Sequence, residues 1–283
     1  METQLSISEE KSQVLDEALL LVNEADKTLM DLLEQCFLVW GKKMKTVEIS
    51  FPPIISIKDL ETINYFEDHP TQAVFLSAIP SYTNPSEGSY ANNAEPLQYA
   101  LNPAACYHAY ISQRDQEIDE MVRISTQTKC FRNQPPYSST GRMFTFTQRK
   151  FVFMGGSQEV RNALKSSEKF VYELGTALGL ELGEQPSQAP NYIEDPKLGK
   201  VKALFLADKE FMYKSFPALC HTNFHRNYFC KRLNVKLSNG RYAFAGCLGV
   251  IPEYWLLSLK DKYGSDMTTI TQLLNNYLNI NAQ

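Results

Sequence analysis

Cys130-Phe131-Arg132, the loop 133–141, and then Met143-Phe144-Thr145-Phe146-Thr147-Gln148-Arg149-Lys150-Phe151-Val152-Phe153 form the stretch on which the fold turns. Apolar and polar side chains alternate along the second arm, the two-residue period of a strand with one face buried. The loop is rich in Pro, Ser, Asn and Gly, which stop a strand without starting a helix. The pair reads as a long antiparallel hairpin with an open tip.

Working outward toward the N-terminus, apolar residues recur at Val14, Ala18, Leu21, Val22, Ala25, Leu29, Leu32, Leu33 and Cys36. That is helical spacing and predicts one long helix over residues 9–40. Ser8 is placed to cap it, Glu9 and Glu10 suit its positive end, and Gly41 is placed to stop it. Residues 47–55 then read as a strand halted by Pro52 and Pro53, and residues 80–93 as an exposed loop. Beyond the hairpin, Ser157 is placed to cap a helix that carries Val160, Leu164, Phe170, Val171, Leu174 and Leu178 and ends near Gly179. Short strands are expected near 203–206 and 218–224, a tight turn at Asn239-Gly240, and a closing helix after Pro252. Strands in the middle with helices outside predict an α+β fold, an antiparallel sheet flanked by helices. The expected organisation is an N-terminal helical segment, 1–45, followed by a main domain, 46–283.

Composition limits the function. The 283 residues are 43% hydrophobic, enough for a large core without disulfides or metals to hold it together. Lys and Arg number 28 against 32 Asp and Glu, a net charge of −4 with no basic block, so tRNA and DNA are disfavoured as partners. No apolar run reaches the roughly 18 residues of a membrane span, and the METQLSISEEK start lacks the pattern of a signal peptide. A cytoplasmic location is expected. The six cysteines lie far apart, which points to reduced thiols rather than a disulfide framework.

Read in order, several segments together resemble one family across residues 51–264. They are Phe51-Pro52-Pro53-Ile54, Leu60-Glu61, Tyr65-Phe66 and His69-Pro70; then Pro103-Ala104-Ala105-Cys106-Tyr107, Cys130-Phe131-Arg132, and Arg142-Met143 with Phe146; then Asp195-Pro196 with Gly199, Thr222-Asn223-Phe224-His225, and Gly246-Cys247 with Gly249. Their order and spacing are similar to those of class II aminoacyl-tRNA synthetase-like proteins of the amino acid:carrier-protein ligase type. The resemblance implies a class II antiparallel sheet, a homodimer through the Phe51-Pro52 segment, and an acyl or peptidyl carrier protein as partner. No second long heptad run follows the N-terminal helix, so the resemblance comes without a tRNA-grasping coiled hairpin.

In that family ATP and Mg²⁺ activate a carboxylate that passes to a phosphopantetheine thiol, and for this chain the expectation is a diverged carrier-protein-directed acyl or aminoacyl ligase or acyltransferase in specialised metabolism. By the resemblance Arg132 contacts the α-phosphate, Arg142 the outer phosphates, Gln134 stands where a glutamate is usual, and Phe146 stacks on adenine. Lys150, Thr222, Asn223, His225 and Cys247 shape the substrate end together with Cys106. The bland reading of the hairpin aromatics is cross-strand packing, and of the histidines a satisfied structural role.

Three positions depart from the family pattern. The family zinc is held by Cys, Glu and Cys; Cys106 and Cys247 match the thiolates, but Lys150 stands at the glutamate, and an ammonium cannot ligate a metal. Three arrangements follow: Lys150 replaces the metal and favours a substrate offering an acceptor or anion rather than an α-amine; a rearranged zinc site recruits Cys220 or His221; or the cysteines are inert and buried. In motif 3, Tyr254 follows Glu253 where an arginine clamps phosphates. Losing such a clamp costs roughly a thousandfold in rate, which motivates two alternatives: acyl transfer through a Cys247 thiolate, or a non-catalytic pseudo-synthetase that binds a carrier protein or partner enzyme.

Overall fold

The computed structural model describes residues 13–16, 19–80, 93–138, 141–186 and 208–281. Its first elements are β1 (Gln13–Asp16) and β2 (Leu19–Leu21), paired antiparallel, and α1 (Glu24–Lys43). The single helix expected over 9–40 is therefore shorter, and its Ser8 cap falls outside the described residues. Asn23 explains where it starts: extended, it accepts the Asp26 amide at 2.8 Å, and Glu24 and Asp26 place acid in the first turn.

The run 47–55 also divides. β3 (Val47–Glu48) and β4 (Ile54–Ser56) join different sheets, with Pro52-Pro53 between them where no amide can donate. Next come α2 (Ile57–Thr62), α3 (Tyr65–Asp68), β5 (Phe75–Ala78), β6 (Glu95–Leu101), α4 (Cys106–Ile111) and β7 (Glu117–Ile118). β8 (Val122–Phe131) and β9 (Thr145–Gly155) are the long hairpin, in unbroken antiparallel register from Val122↔Met154 to Phe131↔Thr145. α5 (Ser157–Ala177) begins one residue earlier than expected, with Ser157 inside its first turn and not at the cap. Gly156 is the N-cap, and its amide donates to Glu159 Oε2 at 2.8 Å. The chain continues through β10 (Leu182–Pro186), β11 (Lys209–Tyr213), β12 (Cys220–Arg226), α6 (Tyr228–Arg232), β13 (Lys236–Leu237), β14 (Phe244–Val250), α7 (Pro252–Tyr263) and α8 (Met267–Asn281). The turn at Asn239-Gly240 is present, with Gly240 at φ +76°. α8 is a second closing helix beyond the one expected. The strand expected at 203–206, the Asp195-Pro196 motif and most of the loop 80–93 lie outside the described residues.

The main sheet has seven strands in the order β10-β11-β12-β14-β9-β8-β3, antiparallel except for β3 beside β8. One face packs on α1, α5, α7 and α8 through a core that includes Leu33, Phe37, Trp40, Phe151, Leu164 and Trp255. Trp40 donates from Nε1 to Tyr277 Oη at 2.9 Å, tying α1 to α8. The other face carries a second core with α4 and α6, built from Tyr107, Tyr110, Val152, Phe229 and Cys247. A separate three-stranded sheet, β4-β6-β5, adds Ile55 and Ala100 to that second core. This is the α+β plan expected, with an antiparallel sheet flanked by helices.

Candidate functional site

Register places Lys150 of β9 opposite Gly249 of β14, and Gly249 opposite His221 of β12. Residues paired across antiparallel strands share a face, so the three form one row over neighbouring strands. A Cβ on Gly249 would stand 2.4 Å from the His221 ring and 2.6 Å from Lys150 Nζ. Glycine therefore leaves room for the two side chains to meet above the middle strand, Nζ to Nε2 at 2.6 Å. Lys150 Nζ also donates to Cys247 Sγ at 3.5 Å, and Cys247 Sγ lies 3.6 Å from His225 Nε2. Cys106, at the start of α4, directs its thiol at Cys247 from outside the sheet.

The two cysteines are electrostatically unequal. Donation to Cys247, reinforced by burial, holds the Cys106 thiol protonated well above its ordinary range. The same hydrogen bond pulls Cys247 well below that range; the Lys150 charge and the His225 bond act with it, against burial. Cys247 is the thiolate of the pair. Burial first, then the charge of Lys150, keeps His221 neutral, so its Nε2 accepts from the Lys150 ammonium.

Not every residue singled out from sequence joins this cluster. Asn223 pairs with Cys247 and shares its face. Thr222 pairs with Leu248, whose neighbour Phe151 packs against α1, so Thr222 faces the helices and not the cluster. Cys220 pairs with Val250 in the helical core, and burial pushes its thiol far up. The rearranged zinc site that recruits Cys220 is ruled out by sheet alternation, which turns neighbouring residues to opposite faces.

At the open end of the hairpin, Arg132 donates from Nε to the Pro103 carbonyl at 2.8 Å, and its guanidinium lies 5.2 Å from the centre of the Phe146 ring. It forms no ion pair among the described residues. With burial, its charge helps hold His69 down to about 4. Arg142 is exposed at the loop's return, and the Gln134 amide donates to Tyr137 Oη at 3.1 Å. Tyr254 Oη donates to the Gly141 carbonyl at 3.0 Å, pinning the loop to α7. The buried Glu253 carboxylate accepts from the Thr147 amide at 2.7 Å and Lys129 Nζ at 3.1 Å.

These contacts test the implied cofactors. Among the described residues no three His, Cys, Asp or Glu side chains are set to hold one metal ion, and Lys150 puts an amine between the thiolate and an imidazole. The cluster does not fit zinc. For ATP, Arg132 has free donors for a phosphate. Phe146, however, is buried with Arg132 over it, which leaves no open face for adenine, and Glu253 with Tyr254 supplies an anion and a phenol in place of a cationic clamp. Among the described residues only the phosphate-binding part of a nucleotide site is present.

Sequence reasoning placed Gly249 in a motif but missed its steric role, which makes the Lys150–His221 contact feasible, and it missed Gln148 and Thr126. Gln148 shares Lys150's face by strand alternation, a signal already present in the hairpin arm. Thr126 could be placed beside Lys150 only by the β8–β9 register.

The sequence matches no family profile. It is 20% identical over 256 residues to amino acid--[acyl-carrier-protein] ligase 2 of Bradyrhizobium diazoefficiens, covering 80% of this chain and 73% of that protein. The fold is similar to M. kandleri SerRS solved with A. aeolicus tRNASec, at TM-score 0.77 and 16% identity over 93% of this chain and 58% of the other. Prolyl-tRNA synthetase of Cryptosporidium parvum, solved with halofuginone and AMPPNP, gives TM-score 0.68 at 11% identity, covering 91% and 50%. Cytoplasmic serine-tRNA ligase of Naegleria fowleri, solved with AMP, gives 0.67 at 11%, covering 90% and 54%. The chain thus spans little more than half the length of these solved synthetases. The chain has the fold of the class II synthetases.

Proposed function

We propose that the chain is a carrier-protein-directed acyl or aminoacyl ligase or acyltransferase, diverged from amino acid:carrier-protein ligases, which loads or moves an acyl group on a phosphopantetheine thiol in specialised metabolism. The likeness to the Bradyrhizobium ligase supports the carrier-protein direction. The observation that carries the chemistry is the Cys247 sulfur held between Lys150, His225 and Cys106. In the transfer form, Cys247 Sγ adds to the carbonyl carbon of an acyl thioester. Lys150 steadies the oxyanion, the bond to the pantetheine sulfur breaks, and that sulfur leaves as a thiolate that takes a proton from solvent. A second carrier thiol, losing its proton, reverses the sequence and restores the Cys247 thiolate. ATP, when bound, supplies the adenylyl group for the ligase form, and Arg132 and Arg142 would hold its phosphates.

A second reading is favoured by Tyr254 and Glu253 in the place of a phosphate clamp: a non-catalytic pseudo-synthetase that binds a carrier protein or partner enzyme. Two measurements separate these readings. Intact-protein mass spectrometry after mixing with acyl-loaded carrier protein is expected to show an S-acyl adduct that disappears in Cys247→Ala; no adduct in the wild type rules out the transfer form. Pyrophosphate exchange with any carboxylic acid would establish the ligase form and eliminate the pseudo-synthetase.

A further inference from the structure

We propose that the Lys150 ammonium is an internal cation standing where a metal would otherwise sit, and that the acyl group received there carries an acceptor at its 2-position, as a 2-oxo or 2-hydroxy acid does, instead of an α-ammonium. The inference deepens the carrier-protein reading and rests on it for the presence of an acid at this end of the site.

The argument begins with what surrounds Nζ. Cys247, His221, His225 and Cys106 are two sulfurs and two imidazoles gathered from β14, β12 and α4, the donor types that make tetrahedral zinc sites. They surround an amine instead. Lys150 is buried, and its two hydrogen bonds go to His221 and Cys247, which leaves one of its three N–H donors for a ligand.

Two of the neighbouring polar groups favour the same kind of ligand, while Asn223 on the Cys247 face offers an unpaired Oδ1 acceptor. Gln148, two residues before Lys150 on the same face, is fully buried; its Oε1 accepts from the Ala105 amide at 3.0 Å, and its Nε2 donor has no partner among the described residues. Thr126, opposite Lys150 in register, is fully buried with its Oγ1 equally unpaired. Arg132, with no carboxylate partner among the described residues, adds a second positive charge whose field reaches His221. An acceptor satisfies these donors. An α-ammonium would instead leave the Lys150 and Gln148 N–H groups unsatisfied and bring a third cation beside Lys150 and Arg132 into a poorly solvated space. The ligand would approach past His221 and Arg132, the partly exposed members of the site.

The test uses the full chain and matched sets of free acids: alanine, lactate and pyruvate; valine, 2-hydroxyisovalerate and 2-oxoisovalerate; phenylalanine, phenyllactate and phenylpyruvate. Calorimetry is expected to show an oxo or hydroxy acid binding roughly tenfold or more tightly than its amino acid, with the preference lost in Lys150→Met. Zinc alone should not bind the wild type. Lys150→Glu, which supplies a carboxylate among the same sulfurs and imidazoles, should take up about one zinc ion per chain. Preference of the wild type for an amino acid, tight zinc binding by the wild type, an unchanged preference in Lys150→Met, or no binding of any acid would each overturn the proposal. The adduct assay with acyl-loaded carrier protein tests the underlying reading separately, because it needs no free acid.

Discussion

Gly249 shows how much one residue decides. Its strand is flanked by those of Lys150 and His221, and the 2.6 Å contact between them passes through the volume a Cβ would fill. Gly249→Ala is expected to split the pair and to cost about 1–3 kcal/mol by overpacking, read from denaturant unfolding. An unchanged unfolding midpoint would mean that the two side chains swing aside at no cost. The lysine at a metal-ligand position was visible in the sequence. The resemblance put Cys247 beside it, but the sequence could not show that it meets His221, 71 residues away on another strand.

At the scale of elements, the best-read feature is the β8–β9 hairpin, where strict alternation and a Pro-rich loop both point to one structure. The worst-read is the N-terminus: helical periodicity extended the helix back to residue 9, while the Asn23 cap begins it at Glu24. A short helix supplies a pH test. At Asp59, burial pushes the carboxyl up, but the Ser56 hydroxyl and the Arg114 guanidinium outweigh it and hold the carboxyl below its ordinary 3.8. A depressed acid stabilises the fold in full above its unfolded value and loses that contribution as pH falls through the lower folded one. Wild-type stability should therefore drop more steeply below pH 3.8 than that of Arg114→Ala. Because Arg114 is 38% exposed, the difference should stay under about 1 kcal/mol. Parallel acid-unfolding curves for the two proteins would remove this pair from the account of α2.

At the scale of the whole molecule, the small sheet β4-β6-β5 leaves Ile54 37%, Phe75 54%, Leu97 39% and Tyr99 46% exposed. Apolar groups gathered on one sheet mark an interaction surface, and we propose that a second copy of the chain covers them through the Phe51-Pro52 segment. Light scattering is expected to give a dimer for the wild type and a monomer for Phe75→Glu combined with Tyr99→Glu; a monomeric wild type would refute this. Among the described residues no helix is long and apolar enough to cross a membrane. Local patterning determined the α+β class, the hairpin and the α5 helix, because periodicity is a local property of a chain, and the family resemblance exposed the chemical departures at Lys150, Glu253 and Tyr254. The tertiary structure alone decided that Lys150 meets His221 over a glycine, that Thr222 and Cys220 face the helices, and that Arg132 covers Phe146. Those outcomes depend on strand register and on which face each residue takes, and a shift of one residue would reverse every one of them.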